Sequence, residues 1–178
     1  MSPIHKFFQE HSEKKFRLYG KKFYYACDLS IQVSKYCIFA QGNVRFGLKQ
    51  SEVRLESQWT KGLTFSEYSL KAPGIQYWLD AKKRQDKKLQ VSSSQKGNIP
   101  LEVPWNSKFY DPLSAVMIQV FNSRPPMEMH SFSSSRSVLL QRKGNVLFKD
   151  GRQWLEVISG SHGGEVRIPI LKMNLKIE

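Results

Sequence analysis

A chain of 178 residues with 40% hydrophobic and 24% charged content can bury the core of one domain, is short for two, and is too apolar to stay disordered throughout. Twenty-eight Lys and Arg stand against fifteen Asp and Glu, a formal charge of +13 that favours polyanionic partners such as nucleic acid, anionic lipid or lipopolysaccharide. No stretch approaches the roughly 18 consecutive apolar residues of a membrane-spanning helix, and residues 1–8 lack the apolar core of a signal peptide.

Residues 1–14 are expected to form a polar arm or short helix, with Phe7 and Phe8 able to dock on the body, and residues 15–178 a single β domain. Phe16 and Leu18 alternate with Lys15 and Arg17. After Gly20, the run Phe23-Tyr24-Tyr25-Ala26-Cys27 leads into Leu29, Ile31 and Val33, which alternate with Ser30 and Gln32. A hairpin turn near Ser34-Lys35 precedes another strand over 36–48, interrupted at Gly42-Asn43. Val53, Leu55 and Ser57 alternate with Arg54 and Glu56 up to Trp59, and Gly62 punctuates. Strands over 65–70, 75–79 and 89–92 continue the series, separated by Lys71-Ala72-Pro73-Gly74 and the charged stretch 82–88.

One helix breaks the pattern, at about 111–122. Asp111 can accept a hydrogen bond from the first helical turn, and Pro112 at the first helical position gives up no needed donor. Leu113, Val116, Met117, Val120 and Phe121 fall at i, i+3, i+4, i+7 and i+8, one apolar stripe, before Pro125-Pro126 stops the helix. Beyond a Ser-rich connection at 131–137, strand patterns resume at 138–140, 146–148 and 154–158, with Gly144-Asn145 and Asp150-Gly151 as hairpin signals. Val166, Ile168 and Ile170 alternate with Arg167 and Pro169, where the proline suggests an edge or a bulge. Leu171, Met173, Leu175 and Ile177 close the chain. The expected fold is mainly β: a single curved antiparallel sheet, a half-barrel or open barrel of about ten strands, with one mid-chain helix packed on it.

The passage from Val103 to Val120, a strand end, a short polar loop and then Asp111-Pro112-Leu113-Ser114-Ala115 opening an apolar helix, resembles the hallmark of the bacterial domain-of-unknown-function family 3108, whose members are exported envelope proteins. The upstream order is also similar: a strand pair near 24–33, a Trp-plus-Gly segment at Trp59 and Gly62, and a strand at 65–70. The resemblance implies an antiparallel sheet wrapped around a helix, broadly like lipoprotein-carrier and lipocalin-like sheets, in the periplasm or at the envelope. That compartment requires a leader removed ahead of Met1; without one the chain would act in the cytoplasm. The resemblance carries no established activity.

The inventory of reactive groups is thin. His5, His11, His130 and His162 show no metal-ligand spacing, Met127-Glu128-Met129-His130 reads as a packed loop, and Gly160-Ser161-His162-Gly163-Gly164 reads as a turn. Cys27 and Cys37 have no CxxC partner and are read as free thiols, with a bridge across the hairpin as the alternative. Asp111 is a cap, and Glu52 and Glu56 beside Arg54 are explained by cross-strand pairing. No catalytic residue, metal or cofactor is therefore expected, and the protein is read as non-enzymatic.

The sharpest charged feature is Lys82, Lys83, Arg84, Lys87 and Lys88, preceded by Tyr77 and Trp78. A second basic group, Lys14, Lys15 and Arg17 with Lys21 and Lys22, borders the first strand. The leading expectation is an envelope β-sheet protein whose concave apolar face, closed by the helix, holds a lipid-like or peptide ligand while these cations engage anionic headgroups of lipid or lipopolysaccharide. The alternative is a nucleic-acid-binding module that uses the 82–88 segment for phosphates and the aromatics for stacking.

Overall fold

In the computed structural model, residues 2–86, 88–94, 101–104, 112–121, 126–130, 137–160, 163–168 and 173–177 are described. The chain is mainly β and antiparallel, with two helices. The elements are α1 (Pro3–His11), β1 (Lys15–Lys22), β2 (Tyr25–Ser34), β3 (Cys37–Phe46), β4 (Lys49–Trp59), β5 (Phe65–Ala72), β6 (Tyr77–Lys83), β7 (Lys88–Ser93) and β8 (Leu101–Pro104). Then follow α2 (Pro112–Phe121), β9 (Met127–His130), β10 (Ser137–Lys143), β11 (Val146–Lys149), β12 (Arg152–Gly160), β13 (Gly163–Ile168) and β14 (Met173–Ile177).

The strands pair in the order β8-β7-β6-β5-β4-β3-β2-β1-β14-β13-β12-β11-β10-β9. Two meanders, β1–β8 and β9–β14, thus join where β1 meets the C-terminal strand, with Phe16 opposite Ile177 and Gly20 opposite Met173. Among the described residues β8 and β9 lie at the two ends of that order, so it does not close into a barrel. The described residues form fourteen strands where about ten were expected, partly because Met127-Glu128-Met129-His130 is β9 and not a loop. Its Met127 and Met129 oppose Leu140 and Val138, and the two-residue alternation of methionines marks a strand's inward face.

Register explains the sheet's two faces. Phe16, Ile31, Ala40, Leu55, Leu70 and Leu79 form one continuous cross-strand row from β1 to β6. Because side chains alternate between faces, such a row places every member on the same side of the sheet. That side is the core. Phe16, Ile31, Phe65 and Leu89 of the first meander are fully buried together with Leu140 and Leu147 of the second, in one cluster that both helices enter.

The N-terminal arm is a helix. Ser2 caps it, its Oγ accepting from His5 N at 3.2 Å, and Pro3 occupies the first turn, the punctuation that Asp111-Pro112 was expected to give the second helix. Phe7 and Phe8 dock as anticipated: Phe7 is fully buried, and Phe8 meets Tyr36 and Trp59 edge-on or tilted at 6.0 and 5.9 Å. His11 lies within ring contact of Phe7, Phe16 and Phe121, tying α1 to β1 and α2.

On α2, burial extends beyond the expected apolar stripe. Pro112 opens the helix as predicted, Met117 is fully buried, and half-buried Phe121 packs on Phe16 at 5.2 Å. Yet Ser114, Ala115, Ile118 and Gln119, which the stripe would leave outside, are also fully buried. At 100° per residue the described buried positions cover more than half the helix circumference. Such a spread means that neighbours cover this part of α2 on more than one side. Asp111 lies outside the described residues, as do the side chains of Leu113, Val116 and Val120.

Two further readings change. Gly42-Asn43 does not interrupt β3: Gly42 stands inside the strand, where a Cβ would fall 2.0 Å from the Asp28 carbonyl oxygen. Glycine is there to permit close backbone approach. Gly20 likewise is a buried position within β1, and the real turn is Phe23-Tyr24, read from sequence as the start of a strand. Asp150-Gly151 does turn as expected, with φ of 50° and 76°, and Asp150 Oδ1 accepts from Leu139 N at 2.8 Å. Pro169 lies outside the described residues.

Candidate functional site

An antiparallel meander sends alternate turns to opposite ends of the sheet. The start of β1 and the turns between β2 and β3, β4 and β5, and β6 and β7 share one end, here the lower rim; the β1–β2, β3–β4 and β5–β6 turns share the other, the upper rim. This topology brings together basic groups that are far apart in sequence. Lys14 and Lys15 enter β1 at the lower rim, and Lys82, Lys83, Arg84 and Lys88 form the β6–β7 hairpin at the same end, all exposed. Lys35 and Lys61, exposed in the intervening turns, bridge the span. Five strand spacings separate the two groups, about 24 Å along the sheet. Lys87 lies outside the described residues.

Arg84 is a turn residue as well as a cation: its backbone N donates to Lys88 O at 2.7 Å, and its guanidinium stands 3.9 Å from Asp86. Glu67 sits directly opposite Lys82 across β5 and β6. These acids trim the rim's charge without cancelling it.

Arg17 does not belong to this rim. It lies on the outer face of β1, where Nε and Nη2 each donate at 3.0 Å to the two carboxylate oxygens of Asp28 while the guanidinium stacks 5.3 Å from the Tyr19 ring. That fork holds the Asp28 carboxyl below its usual range. Arg17 is therefore engaged within the sheet rather than available to an external anion. Lys21 and Lys22 part from Lys14 and Lys15 altogether, since β1 carries them to the upper rim.

The inner face of the sheet, where ligand space was expected, is occupied. Phe7, Phe16, Phe65, Met117, Ile118, Leu140 and Leu147 fill its described part with no exposed surface of their own. Open hollows lie elsewhere. One of about 600 Å³ is lined by Ser30, Gln41, Asn43, Glu52, Arg54 and Lys71. Arg54 and Lys71 are register partners there, like charges side by side that an anion would relieve. Another, of about 520 Å³, has Tyr77 and Trp78 in its wall together with Asp80. Trp78 and Lys82 share the outer face of β6 with Asp80 between them, so the aromatic is not the immediate neighbour of the basic tip that the sequence order suggested.

Reactive groups are muted. Cys27 and Cys37 are free. Cys27 opposes Val44 on the inner face, whereas Cys37 opposes Ser34, an odd number of residues along β2, and so points to the other face. Burial pushes the Cys27 thiol up to about 11 and raises that of Cys37 as well. His11 is buried, its Nδ1 3.0 Å from Phe7 O, and desolvation lowers its pKa. Among the described residues no three His, Cys, Asp or Glu side chains could jointly hold a metal ion. Met129 of β9 packs in the core, in line with the packing expected of this stretch.

The sequence reading missed the upper rim. Phe23, Tyr24, Phe46 and Leu48 are exposed there at two neighbouring turns. The available signal was Gly47, flanked by Phe46 and Leu48: a glycine in the left-handed region (φ +60°) marks a turn and puts both neighbours at its tip.

No family model, curated protein or solved structure matches the chain.

Proposed function

We propose that this is a non-enzymatic β-sheet protein that binds an anionic component of the bacterial cell envelope through the cations of its lower rim, Lys14, Lys15, Lys82, Lys83, Arg84 and Lys88. The observation that carries the reading is the gathering of these side chains, separated by about seventy residues of chain, at one end of the sheet. Lysines on exposed hairpin ends suit a partner that presents many phosphates or carboxylates without fixed geometry. Half-barrel curvature of the sheet around α2 and an envelope location belong to the same proposal, the latter supported by the likeness of residues 103–120 to exported envelope proteins.

Moving the ligand from the concave face to the rim follows from the filled core. A nucleic acid is the second reading, favoured by Trp78 on the outer face of the strand that leads to Lys82. Binding of deacylated lipopolysaccharide, which keeps the phosphates and loses the acyl chains, against binding of a single-stranded oligonucleotide decides between them. Tighter binding of the saccharide at equal salt supports the envelope reading; tighter binding of the oligonucleotide, with a slope of about −0.7 in log K per phosphate neutralised, supports the other.

A further inference from the structure

The upper rim carries an apolar tip built on two hairpins. Phe23 is 98% exposed and Leu48 fully exposed, and Tyr24 and Phe46 beside them are about half exposed. The two turns are one unit, because Gly47 N donates to Tyr24 O at 2.6 Å and the Tyr25 and Phe46 rings lie 4.8 Å apart. Arg45 stiffens it further, Nη1 donating to Gly47 O at 3.1 Å. Neither Phe23-Tyr24 nor Leu48 is turn chemistry: such positions favour Asn, Asp and Gly. A local rule broken this openly, with no burial in return, is the mark of a surface that works against something outside the chain.

The charges around the tip say what that is. Register sets Lys22, Tyr25, Phe46 and Lys49 in one cross-strand row, aromatic at the centre and cationic at both ends. The next row back pairs Lys21, Ala26, Arg45 and Gln50. The segments 21–25 and 45–50 together hold four cations and no acid, and the nearest carboxylate on β2, Asp28, is already held by Arg17. Apolar side chains projecting beyond a collar of cations match the depth profile of an anionic bilayer, hydrocarbon below and phosphate above. A protein partner would need acids placed around an apolar socket; a membrane of anionic lipid offers both layers without any.

We propose that the hairpin tips at Phe23-Tyr24 and Phe46-Gly47-Leu48 dock into the interface of an anionic membrane, inserting Phe23 and Leu48 among the acyl chains while Lys21, Arg45 and Lys49 meet lipid phosphates. No helix among the described residues is long and apolar enough to cross a bilayer; this contact lies on the surface. It does not rest on the lower-rim assignment, because β2 alone, at ten residues, holds the two rims roughly 33 Å apart.

The test is sedimentation of the full chain with vesicles of phosphatidylcholine containing phosphatidylglycerol, against vesicles of phosphatidylcholine alone. Phe23→Ser with Leu48→Ser lowers partitioning by about tenfold for each side chain removed, and Lys21→Gln with Lys49→Gln lowers it by about fivefold each on anionic vesicles only. Since the apolar pair is exposed, the melting temperature stays unchanged. A fluorophore sensitive to polarity, attached at Leu48→Cys in a chain with Cys27→Ala and Cys37→Ser, shifts to the blue on anionic vesicles. Undiminished partitioning of the Phe23, Leu48 variant overturns the proposal, as does an unshifted label. So does a concentration-dependent dimer abolished by the same pair of changes, which would make the occupant a second copy. Loss of vesicle binding in lower-rim variants alone would overturn the tip and leave the rim reading standing.

Discussion

His11 shows how a single residue couples fold and pH. Stacked on Phe7 at 5.0 Å and with Phe121 at 5.4 Å, it is buried with its Nδ1 against Phe7 O. Desolvation is the largest cause of its lowered pKa, with Lys14 adding to the fall and Glu10 and the Phe7 carbonyl opposing it. The unfolded chain therefore binds a proton more readily than the folded one. Stability is full above the ordinary value of 6.5 and is lost as pH falls through the folded pKa. We expect the thermal midpoint to drop between about pH 7 and pH 5, and His11→Phe to flatten that dependence; an equal slope in the variant would remove His11 as its source. Gly42 makes the complementary point about backbone. With the Asp28 carbonyl 2.0 Å from where a Cβ would stand, Gly42→Ala is expected to cost about 2 kcal/mol or more in urea unfolding. Sequence marked Gly42 correctly as special but for the wrong reason, as a break, because a glycine's local signal does not distinguish a turn from a close approach across strands.

At the scale of elements, α2 was legible in its start and its period, and half legible in its role. Apolar spacing identified the helix, but Ser114 and Gln119 hid its burial on several sides, since a polar residue reads as solvent-facing until the neighbours that cover it are known. Packing of α1, β9 and β10 against α2 supplies that cover. Met117→Ala should then destabilise by about 2–5 kcal/mol and Phe7→Ala by about 3–5, the penalty of cavities in a filled core. Denaturant midpoints measure both, and losses under about 1 kcal/mol would mean that the helices sit loosely on the sheet. β9 escaped detection for a different reason: Pro125-Pro126 and a following Ser-rich run framed four residues as loop, too short for their alternation to outweigh the frame. The Phe23-Tyr24 turn was missed because aromatic residues have high strand propensity, and the register to β1 and β3 overrides it.

For the whole molecule, strand alternation foretold a mainly antiparallel β fold, and no local pattern could foretell that β14 closes on β1 or which turns share an end. The first is a long-range contact, and the second follows from the antiparallel order of the strands. The antiparallel order of β1 to β7 sends Lys14 and Lys15 to the rim of Lys82, Lys83, Arg84 and Lys88, and Lys21 and Lys22 to the rim of Phe23 and Leu48. Among the described residues, β1 to β7 of this +13 chain thus present two distinct surfaces: cationic turns at one end, an apolar tip in a cationic collar at the other. Binding at the lower rim is expected to weaken steeply with salt, because exposed lysines act through screened Coulomb attraction and not through fixed hydrogen bonds. The decisive measurement is the affinity of deacylated lipopolysaccharide for the full chain and for a variant with Lys14, Lys15, Lys82, Lys83 and Lys88 changed to Gln, each at low and physiological salt. Measurable, salt-sensitive binding is expected, falling by roughly fivefold for each lysine removed and persisting when only Phe23 and Leu48 are replaced. Equal affinity in the Gln variant, or no binding at low salt, would contradict it.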